Sequence, residues 1–155
     1  MRSQLAVVGA ILLVASCGER SAPGIADSDA LRATIQSLAG ELAQAISQRD
    51  PAAAARHVRE DDHVVYISDG TVIRGREYRQ VLERFYAGLQ QLDFKWDRWE
   101  VRAIGANAGV FTGWATIASV DKAGRAVEDR ALFSLVYGQT LDGWELIAAH
   151  KTTIR

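Results

Sequence analysis

Apolar residues recur at helical spacing in the first third of the chain. They are Leu31, Ile35, Leu38, Leu42 and Ile46. This spacing predicts an amphipathic helix with one buried stripe, which Ser28 or Asp29 could cap. Asp50 should end it, because a residue that precedes proline avoids the helical conformation. Asp50 can then cap a short second helix that starts at Pro51.

The next segments predict a strand, a turn and a third helix. The segment "HVVYIS" predicts a short strand and Asp69–Gly70 a turn, and "GREYRQVLERFYAGL" predicts a third helix. Beyond Gln91 the pattern alternates as in strands. Leu92, Phe94 and Trp96 share one parity, and Trp99, Val101 and Ala103 share the other. A β-bulge near Asp97–Arg98 would return all six to one face. Helices followed by antiparallel strands predict an α+β fold.

The last strand, "DGWELIAAHKTTIR", raises the main chemical question. Read at period two, Trp144, Leu146 and Ala148 share a face with His150, so His150 is expected to point inward. On the preceding strand, Asp129 has the parity of the apolar residue Phe133. An acid beside a histidine in an apolar site can form a general base, which makes His150 and Asp129 candidate catalytic residues. His150 could instead be a structural group satisfied by hydrogen bonds.

Aromatic residues supply a candidate ligand pocket. Trp114 lies in mid-strand with threonines on its face, and Tyr66 lies in the short strand. The predicted pocket lining comprises Tyr66, Tyr86, Trp96, Trp114, Phe133 and His150. A largely apolar cavity with a few polar groups is how proteins usually hold small hydrophobic ligands. Each of these aromatic residues could equally belong to the packed core.

The N-terminus predicts export. Residues 5–14 are apolar but too few to span a bilayer, as in a signal peptide. The following "VASC" resembles the bacterial lipobox, whose cysteine is lipidated. We therefore expect a signal peptide at 1–16, a lipidated Cys17 with a flexible tether at 17–28, and a domain at 29–155. The protein would then face the periplasm or the cell exterior, held at the membrane through its lipid alone. An ordinary cleaved signal with an incidental cysteine is the alternative.

Composition narrows the possible functions. The chain has 18 basic and 19 acidic residues, a balance that argues against a nucleic-acid surface. The sequence contains no CxxC, HExxH or EF-hand pattern, and its three histidines lack helical ligand spacing, so we expect no metal and no cofactor. The segment "GTVIRGRE" has the glycine spacing of a phosphate loop but lacks its Lys–Ser/Thr pair.

Three segments carry a family resemblance: "ISQRDPAAAARHV", "YISDGTVIRGREYRQVLERF" and "DGWELIAAHKTT". Together they make residues 29–154 resemble the nuclear transport factor 2-like superfamily, within it the SnoaL-like and DUF4440 groups. The resemblance implies a cone-shaped α+β fold, in which three helices pack on a strongly curved, mostly antiparallel sheet around a pocket. It also implies homodimers formed by sheet packing. Ketosteroid isomerase and the polyketide cyclases of this superfamily use an inward carboxylate as a base, but this sequence matches no such motif residue by residue.

Three functional hypotheses follow. The favoured one is a lipid-anchored domain that binds a small, mostly apolar molecule in its cone. The first alternative is an isomerase, cyclase or hydrolase that shuttles protons through His150 and Asp129. The second alternative is an interaction module that binds another envelope protein. A homodimer is expected in each case, because one sheet face remains apolar after the helices have packed on the other.

Overall fold

The computed structural model describes residues 25–154, with side chains from residue 29 onward. It contains helices α1 (Ile25–Ser47), α2 (Pro51–Ala55) and α3 (Gly75–Ala87). Asp50 caps α2 as predicted, since its Oδ1 accepts hydrogen bonds from the amides of Ala52 and Ala53 at 3.0 and 2.9 Å. The first helix begins at Ile25 and so includes residues 25–28, which the sequence assigned to the tether.

The strands form one sheet. They are β1 (Val65–Ser68), β2 (Thr71–Arg74), β3 (Leu89–Ala103), β4 (Ala108–Asp121), β5 (Ala126–Thr140) and β6 (Gly143–Ile154). Their spatial order is β2-β1-β6-β5-β4-β3. All neighbours are antiparallel except β1 and β6, which run parallel. The predicted α+β architecture, with three helices on a mostly antiparallel curved sheet, is confirmed.

A β-bulge interrupts β3 where the sequence pattern predicted one. Trp96 pairs with Ala115, and Arg98 pairs with the preceding residue Trp114, which leaves Asp97 as the extra residue. The bulge restores the parity of the strand, so Trp96 and Trp99 lie on the same side of the sheet. This prediction is confirmed.

The sheet has two unlike faces. The covered face, which carries Phe111, Phe133, Leu135 and Tyr137, packs under the helices and forms the core. Helix α1 approaches it closely at Gly109, where a side chain would collide with Leu31 and Ile35 of the helix. The open face carries Thr112, Trp114, Leu132 and Ser134, which are only half-buried. The two faces therefore offer different kinds of surface.

The predicted signal peptide and Cys17 lie outside the described residues. Within residues 25–154, no helix is long and apolar enough to cross a membrane.

Candidate functional site

His150 lies on the open face and is exposed, so the prediction that it points inward is wrong. A second bulge explains the error. Tyr137 pairs with Leu146, but the next residue back on β5, Val136, pairs with Ala148, so Ile147 is an extra residue. Leu146 faces the core, whereas Ala148 and His150 lie on the other side. The imidazole Nε2 has a polar contact with Thr152 Oγ1 at 3.4 Å.

Asp129 cannot act with His150. It has the parity of the covered face and pairs with Ile117, but it is exposed near the start of β5. His150 pairs with Ser134 on the opposite side of the sheet. Because the sheet separates the two side chains, the predicted catalytic pair does not form.

Trp114 is also on the open face, where it is half-buried. The sequence predicted that Trp114 shares one surface, part polar and part apolar, with its threonine neighbours. That prediction is correct. However, this surface faces away from the helices. Trp114 and His150 therefore do not line the same space as the other predicted pocket residues.

Trp96 and Phe133 meet on the covered face. Their ring centres are 5.2 Å apart and edge-to-face, and Phe94 and Phe111 pack beside them. The Trp96 indole Nε1 donates a hydrogen bond to the carbonyl oxygen of Ala39 in α1 at 3.0 Å. A buried indole usually needs such a partner. Trp96 thus fastens α1 to the sheet while its ring forms part of an aromatic wall.

Tyr66, Tyr78 and Tyr86 lie near one another, and we call these three the tyrosine cluster. The rings of Tyr66 and Tyr78 lie 5.2 Å apart. Burial raises the pKa of Tyr66 well above its ordinary value, and Asp69 and Tyr86 add to the effect. Burial raises the pKa of Tyr86 to about 12, with a further contribution from Asp50. The phenols are therefore neutral near pH 7 and can donate hydrogen bonds.

One hydroxyl of this cluster, that of Tyr86, is fully buried without a hydrogen-bond partner among the described residues. Nearly all buried polar groups in native proteins are paired, so such a group needs a physical account. A molecule bound beside α3 could provide the missing partner.

A charged cluster borders Tyr66 at the end of β1. The Lys151 Nζ donates to Asp69 Oδ2 at 2.6 Å and to Thr153 Oγ1 at 2.9 Å, and the Thr153 amide donates to Asp69 Oδ1 at 2.6 Å. Hydrogen bonds from Lys151 and Thr153 lower the pKa of Asp69 to about 2. Lys151 occupies the inward position that was predicted for His150. The unrecognised bulge concealed this residue.

A histidine–carboxylate pair occurs elsewhere, between α1 and the turn that follows α2. His57 Nε2 lies 3.2 Å from Glu41 Oε2. His57 also lines a small cavity of about 10 Å³ together with Leu38, Leu42, Tyr137 and Leu146. No local sequence pattern indicates this pair, because the two residues are 16 positions apart. Its histidine and carboxylate are in contact, as a general base requires, whereas His150 and Asp129 are not.

Comparisons with known proteins agree with this architecture. A family model described as a SnoaL-like domain matches residues 35–152. A nuclear transport factor 2-like superfamily protein from Salmonella enterica superposes with a TM-score of 0.72 at 18% identity, covering 82% of this chain and 93% of that one. A candidate dehydratase from Streptomyces avermitilis gives 0.71 at 17% identity, covering 82% and 98%.

A third protein has lower sequence identity but superposes with a similar TM-score. Hexachlorocyclohexane dehydrochlorinase from Novosphingobium barchaimii has a TM-score of 0.74 at 13% identity, covering 85% of this chain and 92% of that one. At such identities the structural matches establish the fold alone. A search of curated proteins returned no match.

Proposed function

We propose, since the chain belongs to the SnoaL-like domain family, that it binds a small, mostly apolar molecule between its helices and the covered face of the sheet. We propose further that a lipid on Cys17 holds the domain at the membrane. The first proposal rests on the tyrosine cluster, and the second rests on the "VASC" segment.

The observation that carries the ligand proposal is the unpaired Tyr86 hydroxyl. Leaving a buried hydroxyl without a partner costs about 1–3 kcal/mol. A protein that tolerates this cost in its free state can recover it when a ligand supplies the partner. Because the phenol is neutral near pH 7, it would donate its hydrogen bond. The ligand should therefore carry an oxygen or nitrogen acceptor on a largely apolar body.

The surroundings of Tyr86 suit such a molecule. Tyr66 and Tyr78 supply aromatic surface nearby, and the rings of Phe94 and Phe133 extend it across the sheet. Lys151 and Asp69 satisfy one another's charges. The site thus combines apolar walls with few available polar groups, which is typical of sites for small hydrophobic ligands.

Binding must involve some opening of the core. The cavity beside Tyr137 has a volume of about 10 Å³, which holds about a single water molecule. Helix α3 carries both Tyr78 and Tyr86, and its Phe85 side chain is already 50% exposed. We expect α3 to move away from the sheet when a ligand binds.

Mass spectrometry of molecules that co-purify with the full-length protein tests this proposal. We expect one organic species to be recovered at a constant ratio to protein from wild type, and at a lower ratio from Tyr86→Phe. His150→Gln is a suitable control, because it alters a polar side chain on the open face. Equal recovery from all three proteins would contradict a site at Tyr86.

A proton-transfer enzyme is a second candidate, favoured by the His57–Glu41 pair beside a cavity. A histidine held by a carboxylate can take up a proton from a bound substrate. His57 would accept the proton and Glu41 would orient the imidazole. For a substrate identified by co-purification, His57→Gln should then abolish turnover without abolishing binding. Unchanged turnover in this variant would exclude His57 as the base.

A further inference from the structure

Two hairpin turns at one end of the sheet expose large apolar side chains. The β3–β4 turn comprises residues 104–107 and the β5–β6 turn comprises residues 140–143, and we call these two turns the hairpin tips. Leu141 is fully exposed and Ile104 is 58% exposed, which makes them the two most exposed large apolar side chains of the described residues. Turns usually carry Gly, Asn, Asp, Ser or Pro, so two bulky aliphatic side chains at these positions need a physical account.

Hydrogen bonds fix the hairpin tips and join them to one another. The Thr140 hydroxyl donates to the carbonyl oxygen of Gly143 at 3.1 Å and accepts from the amide of Asp142 at 3.2 Å. The amide of Gln139 donates to the carbonyl oxygen of Asn107 at 2.8 Å, which links the second turn to the first. Both apolar side chains therefore belong to a single hydrogen-bonded surface.

Helix α1 begins at the same end of the sheet. Near its start, Leu31 and Ile35 lie against Gly109, close to the β3–β4 turn. At its other end, the Ser47 hydroxyl accepts a hydrogen bond from the amide of Phe94, near the start of β3. The helix thus runs antiparallel to β3, and the chain that precedes it joins the domain beside the hairpin tips.

The length of that preceding chain bears on what the hairpin tips can contact. Residues 18–24 connect Cys17 to Ile25, where α1 begins, and an extended chain of this length reaches at most about 30 Å. Strand β5 has 15 residues, so up to about 50 Å separates the hairpin tips from the β4–β5 turn at the opposite end of the sheet. A lipid on Cys17 would therefore keep the end with the hairpin tips close to the bilayer.

We propose that the hairpin tips dock on the surface of the bilayer, with Leu141 and Ile104 inserted at the level of the lipid headgroups. This inference rests on the lipid anchor proposed at Cys17, and it adds a second contact to the one that the sequence led us to expect. Apolar side chains gain free energy when they leave water, and interfacial segments bury their apolar surface about 5–10 Å deep. The charged Asp142 beside Leu141 restricts the contact to this shallow depth. Docking through the hairpin tips uses neither face of the sheet.

Fluorescence quenching by a spin-labelled lipid tests the proposal. The full-length protein is reconstituted into vesicles of phosphatidylethanolamine and phosphatidylglycerol that include a lipid with a nitroxide on its headgroup. Asn107→Cys supplies a thiol for a fluorescent label within the hairpin tips. Ala123→Cys supplies one in the β4–β5 turn and is the matched control, since both variants replace an exposed, uncharged turn residue. We expect strong quenching of the label at position 107 and little at position 123.

A second variant tests the apolar side chains themselves. Leu141→Ser and Ile104→Ser, combined with Asn107→Cys, should abolish most of the quenching at position 107 while the protein stays on the vesicles. Thermal denaturation checks that these exposed substitutions leave the fold intact. Equal quenching at positions 107 and 123, or unchanged quenching after the serine substitutions, overturns the docking proposal. A label at position 107 that is shielded from water but not quenched by the nitroxide also overturns it, because a protein partner would then cover the tips.

The same samples test the anchor separately. Cys17 is the sole cysteine of the chain, so a lipid on its thiol should leave the wild-type protein unlabelled. Flotation shows whether the protein stays with the vesicles. Wild-type protein that takes up the label and does not float overturns the anchor, and the docking proposal with it. Wild-type protein that floats, with no difference between positions 107 and 123 in the labelled variants, overturns the docking proposal alone.

Discussion

Replacing Asp69 with asparagine should weaken the attachment of the β1–β2 hairpin to β6. Asp69 lies in the turn of this hairpin, and its carboxylate holds both Lys151 Nζ and the amide of Thr153. Asparagine has the same shape but lacks the charge, so it keeps at most part of these hydrogen bonds. The loss should appear in the free energy of unfolding and in local protection of the Thr153 amide.

The size of the effect follows from the pKa of Asp69, which falls from 3.8 to about 2. One pKa unit corresponds to about 1.36 kcal/mol, so the change is equivalent to about 2 kcal/mol. The Asp69 side chain is 44% exposed, and solvent screening therefore reduces the contribution to about 1 kcal/mol. Because the folded-state pKa is the lower one, this stability is present above pH 3.8 and is lost as the pH falls towards 2.

Urea denaturation at pH 7 and at pH 2.5 would measure the difference between wild type and Asp69→Asn. We expect about 1 kcal/mol at pH 7 and a clearly smaller difference at pH 2.5. Asp129→Asn is the matched control, since this exposed carboxylate forms no ion pair with the described residues. The reasoning is refuted if the two variants behave alike, or if the Asp69→Asn difference stays constant with pH.

Three further predictions concern the anchor, the assembly and the core. Cys17→Ser should release the protein from membranes or block its processing. If this variant still fractionates with the membrane at the mature size, the lipid anchor is contradicted. Sedimentation should show a homodimer that Ser134→Arg, in the middle of the open face, converts to monomer; a wild-type monomer at micromolar concentration would contradict this. Trp96→Phe should lower the free energy of unfolding by about 1–3 kcal/mol, because it removes the hydrogen bond to Ala39 and leaves a gap. A loss below about 0.5 kcal/mol in denaturation would contradict that role.

The two bulges show why the sequence predicted the fold better than the site. In β3 the apolar positions change parity between Trp96 and Trp99, and this change indicates an extra residue. In β6 the run from Leu146 to Ala149 is apolar throughout, so an extra residue at Ile147 leaves no trace in the pattern. Counting onward from Trp144 therefore placed His150 on the wrong face.

Residues brought together from different elements were harder to predict. The pairing of Glu41 with His57 depends on how α2 folds back on α1, which no local pattern determines. Tyr86 was identified from the sequence as a pocket residue, and the structure places it in the interior. That its hydroxyl lacks a partner could not be foreseen, because hydrogen bonding depends on the packing of α3.

The affinity of the co-purified molecule for wild type and Tyr86→Phe tests the central claim most directly. If the ligand accepts a hydrogen bond from Tyr86, the variant should bind about five- to tenfold more weakly, which corresponds to about 1–1.4 kcal/mol. The free variant should be as stable as wild type or more stable, because it no longer buries an unpaired hydroxyl. Equal affinity in the two proteins, or a destabilised free variant, would contradict the account.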